Sequence, residues 1–400
     1  MHALLVNQFF WPDAAATAQL LSDLGEDLAA QGCSVRAVAG RGHYAGNQAA
    51  VLPRRESWRG IEIRRVACTS FGRGSTLGRI TDYLTFLVGA KAGILFGARQ
   101  DVAVCLSTPP LLAVLGLVAR LRGARFVYKV EDLYPDVAVA LGTFRDGSAV
   151  ARAFDRLSRA LLRRADAVVA LDGAMATRLR ERGARRVEVI PNWADGSAIR
   201  PDTEAGAASR REHGLGGRFV VLYSGNLGLA HRFDAVIEAA RRLAVVRPDV
   251  VFLFVGDGPR LAEVRRGVAG LGNVRFMPYQ LREALNGLYN AADVHLVTLR
   301  DEVAGMLSPS KYPAALAAGK AVLLVGGEGA DLWREIEEEQ LGWCCPHDAD
   351  AVVAALKEAL QIRGLVEQRG ASGRRVFEAK YERKACTARW AELLREVAAS

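Results

Sequence analysis

The sequence predicts an α/β protein built from two doubly wound units. Three observations carry this. At 400 residues the chain exceeds the size at which a single core stops growing. Short apolar runs alternate with longer segments of helical period, the pattern of parallel strands joined by crossover helices. The alternation occurs twice, on either side of a stretch at 191–217 that is rich in Pro, Gly, Asp and Ala and lacks a sustained apolar period.

The first half opens with an apolar strand at 3–6, a loop at 7–16, a helix at 17–31 with Leu20, Leu21, Leu24 and Leu28 on one face, and a strand at 34–39. This is the first strand–helix–strand unit of a doubly wound sheet, and its loop falls at the carboxyl edge where ligands bind. Small residues at 14–16 leave room there for close approach. A strand at 62–66 follows. Segment 77–96 is the most apolar long stretch, but Asp82 and Lys91 interrupt it, so it reads as a buried helix or an amphipathic helix lying on a membrane, not a spanning one. A strand at 102–106, a helix at 109–122 and a strand at 125–130 lead to Glu131, Asp132 and Asp136, carboxylates that are costly to bury unless paired or used. Helices at 149–164 and 173–182 and strands at 167–171 and 187–190 complete this half.

The second half repeats the pattern. Strand 219–224 runs into the glycine turn Gly225-Asn226-Leu227-Gly228. Strand 250–255 closes on Gly256-Asp257-Gly258-Pro259. Strands at 274–277, 294–298 and 321–325 alternate with helices, and terminal helices are expected at 349–360 and 373–397.

One stretch, 308–319 (Ser-Pro-Ser-Lys-Tyr-Pro-Ala-Ala-Leu-Ala-Ala-Gly), reads as a helix start that holds a phosphate. Ser308 and Ser310 are both N-cap types. Capping by Ser310 places Pro313 at the third helical position, where its missing N–H costs nothing, so Ser310 is favoured. Gly319 ends the helix. Lys311 falls in a first turn whose dipole disfavours a cation, which an anion in front of the helix would explain. An ordinary capped helix with a solvated lysine is the competing reading.

Composition narrows the function classes. Lys and Arg exceed Asp and Glu by 53 to 44, for a net charge of +9, spread along the chain. Such a balance suits phosphorylated substrates or an anionic membrane face. With no zinc-type cysteine spacing and no basic helix interleaved with aromatics, nucleic acid ranks last. The six cysteines form no C-x-x-C pair and read as reduced thiols of a cytosolic protein. The N-terminus reads as a first strand and not a signal peptide.

Several stretches together resemble glycosyltransferase family 4, retaining enzymes of the GT-B fold, and most of all its bacterial members that build cell-surface polysaccharides. They are 7–21, 131–142 (Glu-Asp-Leu-Tyr-Pro-Asp-Val-Ala-Val-Ala-Leu-Gly), 189–195 (Val-Ile-Pro-Asn-Trp-Ala-Asp), 223–234, 254–259 and 308–322. The resemblance implies two facing Rossmann-like domains with a C-terminal helix crossing back to the first. Domain limits are expected at 1–195 for acceptor binding, 196–217 for a linker, 218–372 for nucleotide-sugar binding and 373–400 for the returning helix. It implies a donor site in which Gly225 and Asn226 approach the diphosphate and His231 stands where the family often has a diphosphate-binding lysine. Gly256, Asp257, Gly258 and Tyr279 would border the base and ribose, and Ser308, Ser310 and Lys311 would meet the diphosphate. Lys311, His231 and Asp132 are the implied catalytic residues, with Thr17, Glu131 and Tyr134 on the acceptor.

The resemblance further implies a nucleotide-diphosphate sugar as donor, a sugar or lipid-linked acceptor, no separate cofactor, no metal, and work in the cytoplasm or at the inner-membrane surface. The sequence departs from the family's paired glutamates, spaced E-x(7)-E: Met306 and Ala314 occupy those positions. Ser107 and Thr108 stand where a histidine is often found. A noncatalytic nucleotide-sugar binder and a nucleotide-sugar epimerase on the same fold are the alternatives, with a nicotinamide dehydrogenase a distant third.

Overall fold

The computed structural model describes residues 1–13, 15–42, 52–69, 71, 76–362 and 364–400, with the main chain alone for Thr76 and Arg79. The chain forms two compact units, Met1–Pro191 with Lys384–Ser400, and Asn192–Arg383.

The first unit carries an eight-stranded sheet. Its strands are β1 (His2–Val6), β2 (Ser34–Gly40), β3 (Arg55–Trp58), β4 (Ile61–Val66), β5 (Val102–Leu106), β6 (Arg125–Lys129), β7 (Ala167–Ala170) and β8 (Val187–Val189), in the order β3-β4-β2-β1-β5-β6-β7-β8. Only β3 pairs antiparallel, in a hairpin with β4; the other pairings are parallel. The second unit has six parallel strands, β9 (Phe219–Ser224), β10 (Val250–Val255), β11 (Val274–Met277), β12 (Val294–Thr298), β13 (Ala321–Val325) and β14 (Gly342–Cys345), ordered β11-β10-β9-β12-β13-β14. β5, β10 and β13 are buried along their whole length, which is why they read as unbroken apolar runs and not as alternation.

Both sheets reverse their winding at one point, between β1 and β5 in the first unit and between β9 and β12 in the second. Loops leaving the carboxyl ends of these neighbours diverge and open a crevice. The loops after β9 and β12 are those with the glycine turn and Lys311. Those after β1 and β5 bring Asn7 and Ser107.

Three expectations need correction. Segment 196–217 is not free of regular structure: Thr203–Glu212 is a helix capped by Asp202, whose side chain accepts from Ala205 N, and it belongs to the second unit. It has no apolar period because it packs through small residues; a Cβ on Gly206 would lie 2.7 Å from the Asn290 carbonyl oxygen. The helix expected from residue 109 begins at Val114. The terminal helix expected at 373–397 is broken into Leu365–Val376, a π-helical turn at Phe377–Tyr381, and Arg383–Ala399. Residues 373–383 stay with the second unit: Arg374 Nη1 donates to Ala317 O at 2.7 Å, and Phe377 is buried among Tyr312, Leu316 and Val376. From Lys384 the chain belongs to the first unit, where Trp390 is fully buried and Thr387 Oγ1 donates to Asp27 Oδ2 at 2.8 Å.

Segment 77–96 falls in the helix Thr76–Leu95, which is buried on one face and exposed on the other. Phe86, Ala90 and Ile94 are buried, while Leu77, Ile80, Leu84 and Val88 are exposed. Among the described residues no helix is long and apolar enough to cross a membrane.

Candidate active site

In the second unit the site grows from the end of β9. Tyr223 is fully buried, edge-on to His231 and Phe233 with ring centroids 5.7 and 5.1 Å away. Its hydroxyl donates to Asn226 O at 2.7 Å and accepts from Lys311 Nζ at 3.0 Å. One phenol thus ties the glycine turn to the lysine. Lys311 Nζ also donates to His231 Nε2 at 3.3 Å, and His231 Nδ1 donates to Thr298 O at 2.6 Å. That carbonyl fixes the tautomer: Nδ1 carries the proton and Nε2 offers its lone pair to the ammonium.

Burial, the Lys311 charge and the Arg260 guanidinium hold the His231 pKa well below its ordinary value, so the ring is neutral at pH 7. His231, which the resemblance sets at the diphosphate, is thus a neutral neighbour of Lys311. Burial pushes Lys311 itself down to about 7. Among the described residues no carboxylate lies at ion-pair distance from Lys311, so a bound anion would relieve this cost.

The glycines surround the lysine. Gly225 has φ +134°, and a Cβ there would meet Lys311 Cε at 3.3 Å. Gly256 has φ +132°, and its Cβ would lie 2.1 Å from Gly225 O; a Cβ on Gly258 would lie 2.6 Å from Asn226 Oδ1. The loops after β9 and β10 are laced together: Leu227 N donates to Asp257 O, Arg260 N to Leu227 O, and Gly258 N to Asp257 Oδ1. Tyr279, in the loop after β11, is partly exposed and close enough to Tyr223 to perturb its ionisation.

Ser310 does occupy the N-cap position of the helix Lys311–Ala317, but its backbone is already helical (φ −60°, ψ −19°) and its side chain makes no cap bond. An N-cap side chain needs extended backbone to reach back to the free N–H groups. Ser310 is exposed and Ser308 half-buried. The helix has seven residues, so its dipole is short and the lysine supplies most of the local field. Ala314 packs with Tyr289 and Ala318 in an apolar cluster, and Met306 is half-buried.

Tyr223 and Arg260 are site residues that the sequence reading passed over. Tyr223 had a signal, a polar ring at the carboxyl end of a buried strand next to a glycine turn. Arg260 had none beyond following Pro259.

The first unit holds a second polar cluster at its own winding reversal. Ser107 Oγ accepts from both Glu131 N and Asp132 N, at 2.9 and 3.0 Å, and folds the acidic loop onto the end of β5. Lys129 and Glu131 form a buried ion pair. Thr108 Oγ1 donates to Asp132 Oδ2 at 3.0 Å. Burial and the Glu131 charge raise the Asp132 carboxyl to about 6, against the lowering by Thr108. Tyr134 stacks edge-on against Phe154, and Asn7 Nδ2 donates to Thr17 Oγ1 at 3.2 Å. Among the described residues no group of three or more His, Cys, Asp or Glu side chains is placed to hold a metal ion.

Two α/β units with parallel sheets, one carrying a glycine-cradled lysine at its winding reversal, define the GT-B class of sugar-transferring enzymes. Residues 16–193 match the family described as "Glycosyl transferase 4-like domain" and residues 218–361 that described as "Glycosyl transferases group 1". The chain belongs to glycosyltransferase family 4 and is an enzyme of the hexosyltransferase type. It is 27% identical over 381 residues, 90% of this chain and 93% of the relative, to WcaI of Escherichia coli K12, whose name places it in colanic acid biosynthesis. It is also 27% identical, over 77% of this chain and 80% of the relative, to a GDP-mannose-dependent phosphatidylinositol monomannoside mannosyltransferase of Mycolicibacterium smegmatis. Among solved structures, Anabaena HepE in complex with UDP and glucose superposes with TM-score 0.73 at 17% identity, covering 99% of this chain and 100% of that one.

Proposed function

We propose that the enzyme moves a hexose from a nucleotide-diphosphate donor to an acceptor hydroxyl with retention at the anomeric carbon, in the synthesis of a surface polysaccharide or glycolipid. The observation that carries this is the Lys311–Tyr223–Asn226 chain beside Gly225 and Gly256: a part-buried ammonium whose hydrogen-bond partners among the described residues are neutral, next to glycine backbone. Such a cradle suits a departing diphosphate, whose negative charge grows in the transition state. The anomeric C–O bond to the diphosphate breaks, the bond to the acceptor oxygen forms on the same face, and the acceptor's proton passes to the leaving phosphate oxygen. Lys311 balances the charge on that phosphate, with Arg260 nearby. Tyr279 borders the base and ribose, with Asp257 at the rim.

The cluster of the first unit is assigned to the acceptor. Asp132, beside Thr108, is assigned as the catalytic carboxylate of this unit, and Thr17, Glu131 and Tyr134 as its acceptor-binding residues. The acceptor is read as lipid-linked, and the enzyme as cytoplasmic and peripheral on the inner membrane; one relative is named for a phosphatidylinositol-type acceptor. The test is product analysis of the pure protein with UDP-, GDP- and ADP-hexoses, with and without a polyprenyl-diphosphate sugar. A glycosylated acceptor with the donor's anomeric configuration is expected. An epimerised nucleotide sugar formed without acceptor would replace this reading with the isomerase, and an inverted product would remove retention.

A further inference from the structure

The helix Thr76–Leu95 has an outer face that stays exposed among the described residues. Leu77, Ile80, Leu84 and Val88 are 78%, 50%, 51% and 71% exposed. Their spacing of three, four and four places them within about 80° of arc on one side of the helix. Lys91 falls on the same side, and Phe71 and Phe96 are 67% and 87% exposed just before and after the helix. The opposite side is committed to the core through Phe86, Ala90 and Ile94, and Gly89 lets the helix sit tightly on β4, where a Cβ would meet that of Val66 at 3.0 Å. One side is therefore fully buried while the other is half or more exposed, and the exposed side is not slack packing.

The charge on the stripe itself is that of Lys91, with Arg99 beyond the helix end. Between 76 and 100 the basic residues are Arg79, Lys91 and Arg99, and the sole acidic residue is Asp82. Asp82 is buried, and its Oδ1 accepts from Phe71 N at 2.9 Å. A stripe of leucine, isoleucine and valine edged by phenylalanine, with a lysine stem along it and no exposed carboxylate, is complementary to an acyl boundary beneath anionic headgroups. Pairing with a second copy through the same face would bring two sets of like charges together.

We propose that this face of Thr76–Leu95 is the surface by which the enzyme docks in the interface of an anionic lipid bilayer. The inference rests on the reading that the acceptor is lipid-linked, and it specifies which surface meets the membrane. It does not depend on the donor site.

The test uses the pure full-length chain and vesicles of phosphatidylcholine alone or with about one-third phosphatidylglycerol. Sedimentation with the anionic vesicles is expected, and much less with the neutral ones. Leu84→Gln with Val88→Gln should lower the bound fraction at least about tenfold, with the melting temperature unchanged because both side chains point away from the core. Lys91→Glu, a surface change that cannot disturb packing, should weaken binding to the anionic vesicles alone. Failure of the native protein to bind anionic vesicles, or equal binding by these variants, overturns the proposal. So does a native dimer that the double variant makes monomeric while vesicle binding persists; the stripe is then a self-association surface. Nucleoside-diphosphate binding, measured without vesicles, should be the same in all of these variants. Its loss in the native protein would count against the donor site and leave the docking result standing.

Discussion

Lys311 Nζ lies 3.3 Å from His231 Nε2, and the other nitrogen of that ring donates to the Thr298 carbonyl 2.6 Å away. The Thr298 carbonyl fixes the tautomer, burial and the Lys311 charge keep the ring neutral, and the lysine is aimed instead of neutralised. An ammonium kept between an imidazole and a phenol is poorly solvated until an anion arrives. This arrangement underlies the predictions that follow.

Tyr223→Phe removes only the hydroxyl that joins Lys311 to the Asn226 carbonyl, leaving the ring packing in place. A hydrogen bond of this kind contributes roughly 0.5–1.5 kcal/mol, so nucleoside-diphosphate affinity should fall by roughly two- to tenfold. Titration calorimetry checks affinity, and a melt checks that the fold is kept. Unchanged affinity would mean that the phenol does not position the lysine.

Donor binding should be linked to proton uptake. With burial holding free Lys311 at about 7, a bound diphosphate restores its ammonium and raises its pKa. Affinity is then full below about pH 7 and falls as pH rises toward the value in the complex, by up to ~10-fold per unit. Calorimetry at pH 8 in buffers of different ionisation enthalpy should register uptake of a proton. The stability of the ligand-free protein moves the other way. Its unfolded chain holds the Lys311 proton more tightly than the native one, so this lysine's contribution rises with pH between about 7 and its ordinary value.

Gly256→Ala should damage both fold and binding. The residue has φ +132° and its Cβ would press on the Gly225 carbonyl at 2.1 Å. Backbone strain of this sort costs of order 1–3 kcal/mol, read as a lower melting temperature together with weakened nucleotide binding. Alanine at Gly272, where a Cβ meets nothing within 4 Å, is the control expected to do neither.

Asp132→Asn should change a pH profile as well as a rate. The carboxyl titrates at about 6, so a role as acceptor-side carboxylate gives a kcat/KM that falls as pH drops below 6. The asparagine variant should have lower activity and no such limb. Persistence of the limb would place the titrating group elsewhere.

The sequence revealed most of the architecture, and it singled out the glycines and the lysine that the structure brings together in the candidate site. Parallel strands such as Val250–Val255 are buried on both faces and announce themselves as apolar runs. The glycines and Lys311 were legible because each is an unusual residue for its place. Helix Thr203–Glu212 was hidden because it packs on Gly206 and Ser209 instead of an apolar stripe. The edge strand Arg55–Trp58, read Arg-Glu-Ser-Trp, is too polar to stand out. Tyr223 looked like one more core aromatic, since its role depends on a hydroxyl meeting residues 3 and 88 positions away. The neutrality of His231 follows from burial and from the Lys311 charge, neither of which local spacing reveals.

The most direct test is nucleoside-diphosphate binding by the native protein and by Lys311→Met, measured by calorimetry across UDP, GDP and ADP and paired with turnover on the matching nucleotide hexose. At least one diphosphate should bind the native chain, and the variant should keep its melting temperature, lose at least about tenfold in affinity and fall by ~10²–10³ in turnover. A folded Lys311→Met that binds and turns over like the native enzyme would contradict the account at its centre.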